Sequence, residues 1–92
     1  MAGTATFLRA DSTTKSKLEY WSVTTDGGVN PVATIYTSLS VVDVVWWAWM
    51  EDIGATAVVP EFTIDNDAHT VTMLLSNGTD IDKDMTVTLV GT

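Results

Sequence analysis

The chain has 92 residues, enough for one domain with a modest core, and 46% of them are hydrophobic, which excludes a disordered tail. Twelve acidic side chains against four basic ones give a formal net charge of −8, so we expect no binding to nucleic acid or to an anionic membrane surface. The absence of cysteine excludes disulfides, thiolate nucleophiles and zinc–sulfur sites.

Hydrophobic and polar residues alternate along seven segments of the chain, which is the pattern of half-buried β-strands. In chain order, we predict strands at residues 5–10, 17–24, 32–39, 41–50, 56–65, 69–76 and 85–90. Residues typical of turns separate the segments, as in Asp26-Gly27-Gly28 and Ser76-Asn77-Gly78. Pro60 falls inside the fifth segment, which predicts an edge strand or a bulge there.

Seven short strands at this spacing predict an all-β protein. The expected fold is an antiparallel β-sandwich, Ig-like or jelly-roll-like, in a single domain over residues 1–92, with residues 1–16 as a candidate N-terminal arm. The first residues show no cationic segment followed by an apolar stretch, and no apolar run is long enough to span a membrane. We therefore expect synthesis in the cytoplasm and no membrane partner.

The fourth predicted strand is apolar on both faces. Alternation divides its side chains into two sets, with Val44, Trp46, Ala48 and Met50 on one face and Val45, Trp47 and Trp49 on the other. A sandwich buries one face of each sheet, so the second face is covered either by long loops or by another molecule. We predict an interface formed by Val45, Trp47 and Trp49, joined by Trp21 from the second strand.

Few side chains suggest a catalytic or metal-binding site. Asp80, Asp82 and Asp84 alternate as calcium ligands do, but the glycine and bidentate acid of a calcium loop are missing, so the run is only a weak calcium candidate. Asp65, Asp67 and His69 resemble an acid–base cluster, yet no nucleophile motif accompanies them. We therefore predict no enzyme activity, no catalytic residue and no cofactor.

The strand patterns of residues 17–92 resemble a known class of protein. They comprise Lys-Leu-Glu-Tyr-Trp-Ser-Val-Thr-Thr before a Gly-Gly turn, Ala-Thr-Ile-Tyr-Thr-Ser-Leu-Ser-Val-Val-Asp-Val-Val, His-Thr-Val-Thr-Met-Leu-Leu-Ser-Asn-Gly-Thr-Asp, and Met-Thr-Val-Thr-Leu-Val-Gly. Their order is similar to that of the small all-β virion proteins of tailed bacteriophages, especially the capsid decoration, or cement, proteins.

The resemblance implies a non-enzymatic structural protein on the capsid surface of a virion. It implies binding to the major capsid protein or another virion protein as a homo-oligomer, a trimer or dimer, that stabilises the head lattice. Two alternatives stay open. One is a tail, fibre or other virion surface component. The other is a carbohydrate-binding sandwich that uses Trp21, Trp47 or Trp49 as a stacking platform for sugar rings.

Overall fold

The computed structural model of the chain describes residues 3–25, 32–50, 59–75 and 83–92. They form seven strands: β1 (Thr4–Ser12), β2 (Lys17–Thr24), β3 (Val32–Tyr36), β4 (Val42–Trp49), β5 (Glu61–Asp65), β6 (Thr70–Leu74) and β7 (Asp84–Gly91). The prediction of an all-β chain with seven strands is confirmed. No helix that could cross a membrane occurs in the part of the chain that the structure describes.

The strands form two antiparallel sheets that pack as a sandwich in a single domain. One sheet has four strands in the order β1-β2-β7-β4, and the other has three in the order β3-β6-β5. A constant-type immunoglobulin domain also has one four-stranded and one three-stranded sheet, but there the fifth strand lies in the larger sheet and the seventh in the smaller one. Here β7 lies in the larger sheet and β5 in the smaller one. The C-terminal strand thus lies inside the larger sheet, between β2 and β4.

The core lies between the sheets and is built by every second residue of the strands, because successive side chains of a strand point to opposite faces. Its buried hydrophobic members are Trp21, Val23, Ala33, Ile35, Leu39, Val42, Val71, Met73, Leu75, Met85, Val87 and Leu89. On the outer face of the three-stranded sheet, Thr34, Thr72 and Thr63 share one row. The inward alternation predicted for β6 and β7 is confirmed.

The main differences from the prediction concern β3, β5 and the candidate arm. β3 ends at Tyr36 because residues 37–41 cross from the three-stranded to the four-stranded sheet. β5 begins after Pro60 and lies at the edge of its sheet, as that proline predicted, while the earlier residues 56–58 of the predicted strand lie outside the described residues. Within the candidate arm 1–16, Thr4–Ser12 pairs with β2 as a strand of the larger sheet.

Candidate functional site

The two faces of β4 are distinguished by their neighbours on β7. Val45, Trp47 and Trp49 stand opposite Leu89, Val87 and Met85, which are fully buried, and they pack half-buried against the core. The indole rings of Trp47 and Trp49 meet edge to face, with centroids 6.3 Å apart. This is the inner face of the sandwich, so these side chains contact the chain's own core, and their predicted role in an interface stays a prediction.

Trp21 also points inward and is 9% exposed. Its ring meets Phe7 edge to face at 5.4 Å between centroids, and both rings line a groove of about 290 Å³ together with Tyr36 and Ser38. The groove opens at the side of the sandwich beside the edge strand β1. The fourth residue proposed for the interface is thus mainly a core residue.

The exposed side of the tryptophan strand is its other face. Trp46 is 71% exposed, Met50 is 62% exposed and Val44 is 47% exposed. In the register of the sheet, Trp46 lies in one row with Thr88 and Tyr20. Leu18, Val90 and Val44 form the next row. We call the surface formed by Leu18, Tyr20, Val44, Trp46 and Val90 the Trp46 face.

A charged pair lies at the β1 side of the Trp46 face. The guanidinium of Arg9 on β1 lies 4.6 Å from the ring centroid of Tyr20 and 3.5 Å from the Asp11 carboxylate. A cation above an aromatic ring is attracted by the electrons of its face. The result is an apolar strip across β2, β7 and β4 that ends at an Arg–Asp pair on β1, a composition typical of protein interfaces.

The only fully buried carboxylate among the described residues belongs to Glu19, at the inner face of β2. Its Oε1 accepts hydrogen bonds from Trp21 Nε1 (3.1 Å) and Thr37 Oγ1 (2.6 Å). Its Oε2 accepts from the backbone N of Ser38 (3.1 Å) and from the Ser38 hydroxyl. A carboxylate has about four lone-pair sites, so these four donors leave Glu19 no capacity to act as a base.

Glu19 joins the two sheets. Thr37 and Ser38 begin the link from β3 to β4, so the carboxylate on the larger sheet holds the chain where it leaves the smaller one. Burial raises the pKa of Glu19, but the hydrogen bonds from Ser38, Thr37 and Trp21 favour the charged form more strongly. The net effect places the pKa of Glu19 below its ordinary value.

Acid is therefore expected to destabilise the fold through Glu19. Its contribution is complete above the pKa of an unfolded glutamate, about 4.3. It is lost as the pH falls through the lower pKa of the folded state, because the folded chain holds the charged form more strongly than the unfolded chain does. Urea unfolding from about pH 6 to about pH 3 should show a steeper loss of stability in the wild type than in Glu19→Gln. Equal slopes would assign the acid sensitivity to other carboxylates.

The remaining candidate residues support the same link between the sheets. The Asp65 carboxylate accepts hydrogen bonds from the backbone N–H groups of Asp67 and Ala68, both at 3.1 Å, which closes the turn between β5 and β6. His69 adopts φ 57°, and its Nδ1 lies 3.1 Å from the carbonyl oxygen of Leu39. Asn66 Oδ1 accepts from the Val42 backbone N at 2.9 Å. These residues thus build a turn that docks on the link, and nothing in their contacts forms a catalytic pair.

Of the three aspartates in the calcium candidate, the structure describes only Asp84. Asp80 and Asp82 lie outside the described residues, whereas Asp84 begins β7 and accepts a 2.6 Å hydrogen bond from the hydroxyl of Thr24 on β2. Over residues 3–25, 32–50, 59–75 and 83–92, no group of three histidine, aspartate or glutamate side chains is placed to hold a metal ion. Calcium binding by the three aspartates stays a prediction.

Comparison with known proteins gives no identification. No protein-family model matches the chain, and neither a curated protein nor a solved structure matches it. The function must therefore be argued from the surface of the molecule.

Proposed function

We propose that the chain is a non-enzymatic structural protein that attaches to a protein lattice through its Trp46 face. The most specific form of the proposal is a capsid decoration protein of a tailed phage, bound to the major capsid protein on the outside of the virion. The observation that supports it is the exposed position of Trp46 within an apolar sheet face. Trp is the residue type most enriched among those that dominate binding energy.

Decoration would act by mass action. A protein that binds the assembled shell but not its dissociated subunits shifts the equilibrium toward the shell. Many copies at repeating sites add their effects, and linked copies would gain further from avidity. The net charge of −8 favours solubility of the free subunits and disfavours contact with packaged DNA.

The proposal predicts a large effect at Trp46. Trp46→Ser should weaken binding to purified heads of the phage that encodes the chain about thirtyfold, as expected for an aromatic residue that dominates the binding energy of an interface. The stability of the fold should be almost unchanged, because the ring is mostly in solvent. The measurement is a co-sedimentation titration with heads, combined with urea unfolding of the free proteins.

Tyr36→Ser is the matched control, since Tyr36 is an aromatic residue of similar exposure, 74%, on the other sheet. It should bind heads as the wild type does. Equal binding by Trp46→Ser and wild type would reject the Trp46 face as the contact. Binding to tails or fibres but not to heads would replace capsid decoration by another virion location.

The carbohydrate alternative has less support. Trp21 is nearly buried, and Trp47 and Trp49 are half-buried against the core, so each of the three has less ring surface for stacking on a sugar than an exposed tryptophan. A change in tryptophan fluorescence on addition of oligosaccharides, with no binding to heads, would favour that alternative.

A further inference from the structure

The four-stranded sheet ends at β1 on one side and at β4 on the other, and over residues 42–48 of β4 the described residues place no second strand beside that edge. Natural edge strands are usually protected by proline, lysine, bulges or inward charges. In β4 the residues 44–49 pair regularly with β7 and include no proline and no charge; its bulge is confined to Asp43. β1 has a bulge at Leu8, and Phe7 and Leu8 are both about half exposed. Neither strand contains a proline, so both keep their backbone donors for another strand, although β1 also carries the charged Arg9 and Asp11 and is the better protected of the two edges.

The two edges differ in charge. Three of the four basic residues of the chain, Arg9, Lys15 and Lys17, lie on β1 or between it and the start of β2. The charged residue of β4 is Asp43. Ser12, Lys17, Gly91 and Val42 share one row of the sheet, so Asp43 and the two lysines lie at the same end of it. Within the described residues, Lys15, Lys17 and Asp43 have no ionic partner.

We propose that copies of this chain associate head to tail, with β4 of one copy pairing antiparallel to β1 of the next. Neighbouring strands alternate in direction across the four-stranded sheet, so a second copy placed beside the first in the same orientation presents the correct strand direction. Asp43 of one copy then lies beside the turn that carries Lys15 in the next. A two-fold pairing of β4 with β4 would place no basic residue beside Asp43, because β4 carries none.

The register of the sheet indicates which side chains meet. The row that contains Trp46 ends on β1 at Arg9, and the row that contains Trp47 ends at Phe7. Continuing the rows into a second copy puts Trp46 beside the next Arg9, where a cation–π contact forms, and Trp47 beside the next Phe7. The second contact covers the half-exposed ring at the mouth of the side groove. Head-to-tail contacts of this kind close into rings when the rotation between copies permits it.

Charge reversal tests the polarity of the contact in the isolated protein, without any phage head, so that its outcome is separate from that of the proposed function. Light scattering behind size exclusion should show a concentration-dependent oligomer that weakens at high salt. Asp43→Lys alone, and Lys15→Glu with Lys17→Glu, should each weaken association about tenfold. Combining all three substitutions in one chain should restore it, because the charges are exchanged between the edges. A monomeric wild type, or a triple variant no better than Asp43→Lys, would overturn the proposal.

Cysteine pairing tests the register, which is feasible because the chain contains no cysteine of its own. Thr6, Ser22, Thr86 and Ala48 share one row, and the two end residues are exposed. Under mild oxidation, a mixture of Thr6→Cys and Ala48→Cys chains should form a disulfide-linked dimer that contains one chain of each kind. Neither variant alone should form one. A dimer of Ala48→Cys with itself would show two-fold β4 pairing, and no product in any sample would reject edge pairing; either result overturns the proposal.

Discussion

Glu19→Gln is expected to lower the stability of the domain by about 2–3 kcal/mol, and Glu19→Ala by about 4 kcal/mol. A domain of this length has a total stability of roughly 5–13 kcal/mol, so either change removes a large part of it. The corresponding drop in Tm for Glu19→Gln is roughly 10–20 °C. Among the described residues, no other carboxylate is fully buried.

The physical reason is the fixed set of donors around the carboxylate. Glutamine has nearly the same shape, but its amide NH₂ would face donors where a carboxylate oxygen accepts them, either at Ser38 or at Trp21 and Thr37. A buried donor left without an acceptor costs about 1–3 kcal/mol. Alanine leaves all four donors unpaired and adds a cavity between the sheets.

Urea unfolding of the purified variants at neutral pH measures the effect. Asp67→Asn is the control, because it also removes one carboxylate charge but lies exposed in the β5–β6 turn. Its stability should stay within about 0.5 kcal/mol of the wild type. A Glu19→Gln protein as stable as Asp67→Asn would mean that the link between the sheets does not depend on the carboxylate.

The strands themselves could be predicted from the sequence, because period-2 alternation is a local signal. All seven occur, and the buried positions of β6 and β7 follow the predicted alternation. Strand order could not be predicted. Nothing local indicates that β7 lies between β2 and β4, since that pairing joins residues far apart in the sequence.

The orientation of β4 was the main ambiguity in the candidate site. Both of its faces are apolar, so alternation cannot show which one meets the core, and the interface predicted at Trp21, Val45, Trp47 and Trp49 stays a prediction. The pairing with β7 decides the orientation: Trp47 stands opposite the buried Val87, and Trp46 stands opposite the half-buried Thr88. Only the register of β4 against β7 carries that information.

The role of Glu19 was missed, although the sequence holds a signal for it. Glu19 alternates with Trp21 and Val23, which placed a carboxylate on the same face as two residues of the core. A charged side chain at such a position is stable only with partners, and the serine and threonine residues that follow β3 are suitable donors. The sequence could have suggested this network, but not that the donors come from the link between the sheets.

Gly91→Ala is expected to destabilise the fold by about 2–3 kcal/mol, although replacing glycine in a strand by alanine ordinarily stabilises it. A Cβ at Gly91 would overlap the carbonyl oxygen of Val41 and would stand 3.1 Å from the Cα of Val42. Both are backbone atoms, so the close approach cannot be relieved by a change of rotamer. The bulge of β4 at Asp43 brings this part of the link directly over Gly91.

Moving the two segments apart would break further contacts. The Thr92 backbone N donates to the Val41 carbonyl, and the Ser40 backbone N donates to the Thr92 carbonyl, both at 3.0 Å. These bonds hold the link between the sheets at the C-terminal end of β7, whereas Glu19 holds it at Thr37 and Ser38. Loss of either contact should therefore loosen the same link between the sheets. The double variant Gly91→Ala with Glu19→Gln should lose less free energy of unfolding than the two single variants lose together.

Thermal unfolding followed by tryptophan fluorescence measures the single variant, and Gly3→Ala provides the comparison. A Cβ at Gly3 would lie 2.5 Å from the carbonyl oxygen of Thr24, a contact that is also too short but less severe and next to a strand end. Gly91→Ala should therefore lower Tm more than Gly3→Ala does. If Gly91→Ala unfolds at the wild-type temperature, the link moves at Val41 without loss of stability, and the link then depends on Glu19 and on the β5–β6 turn.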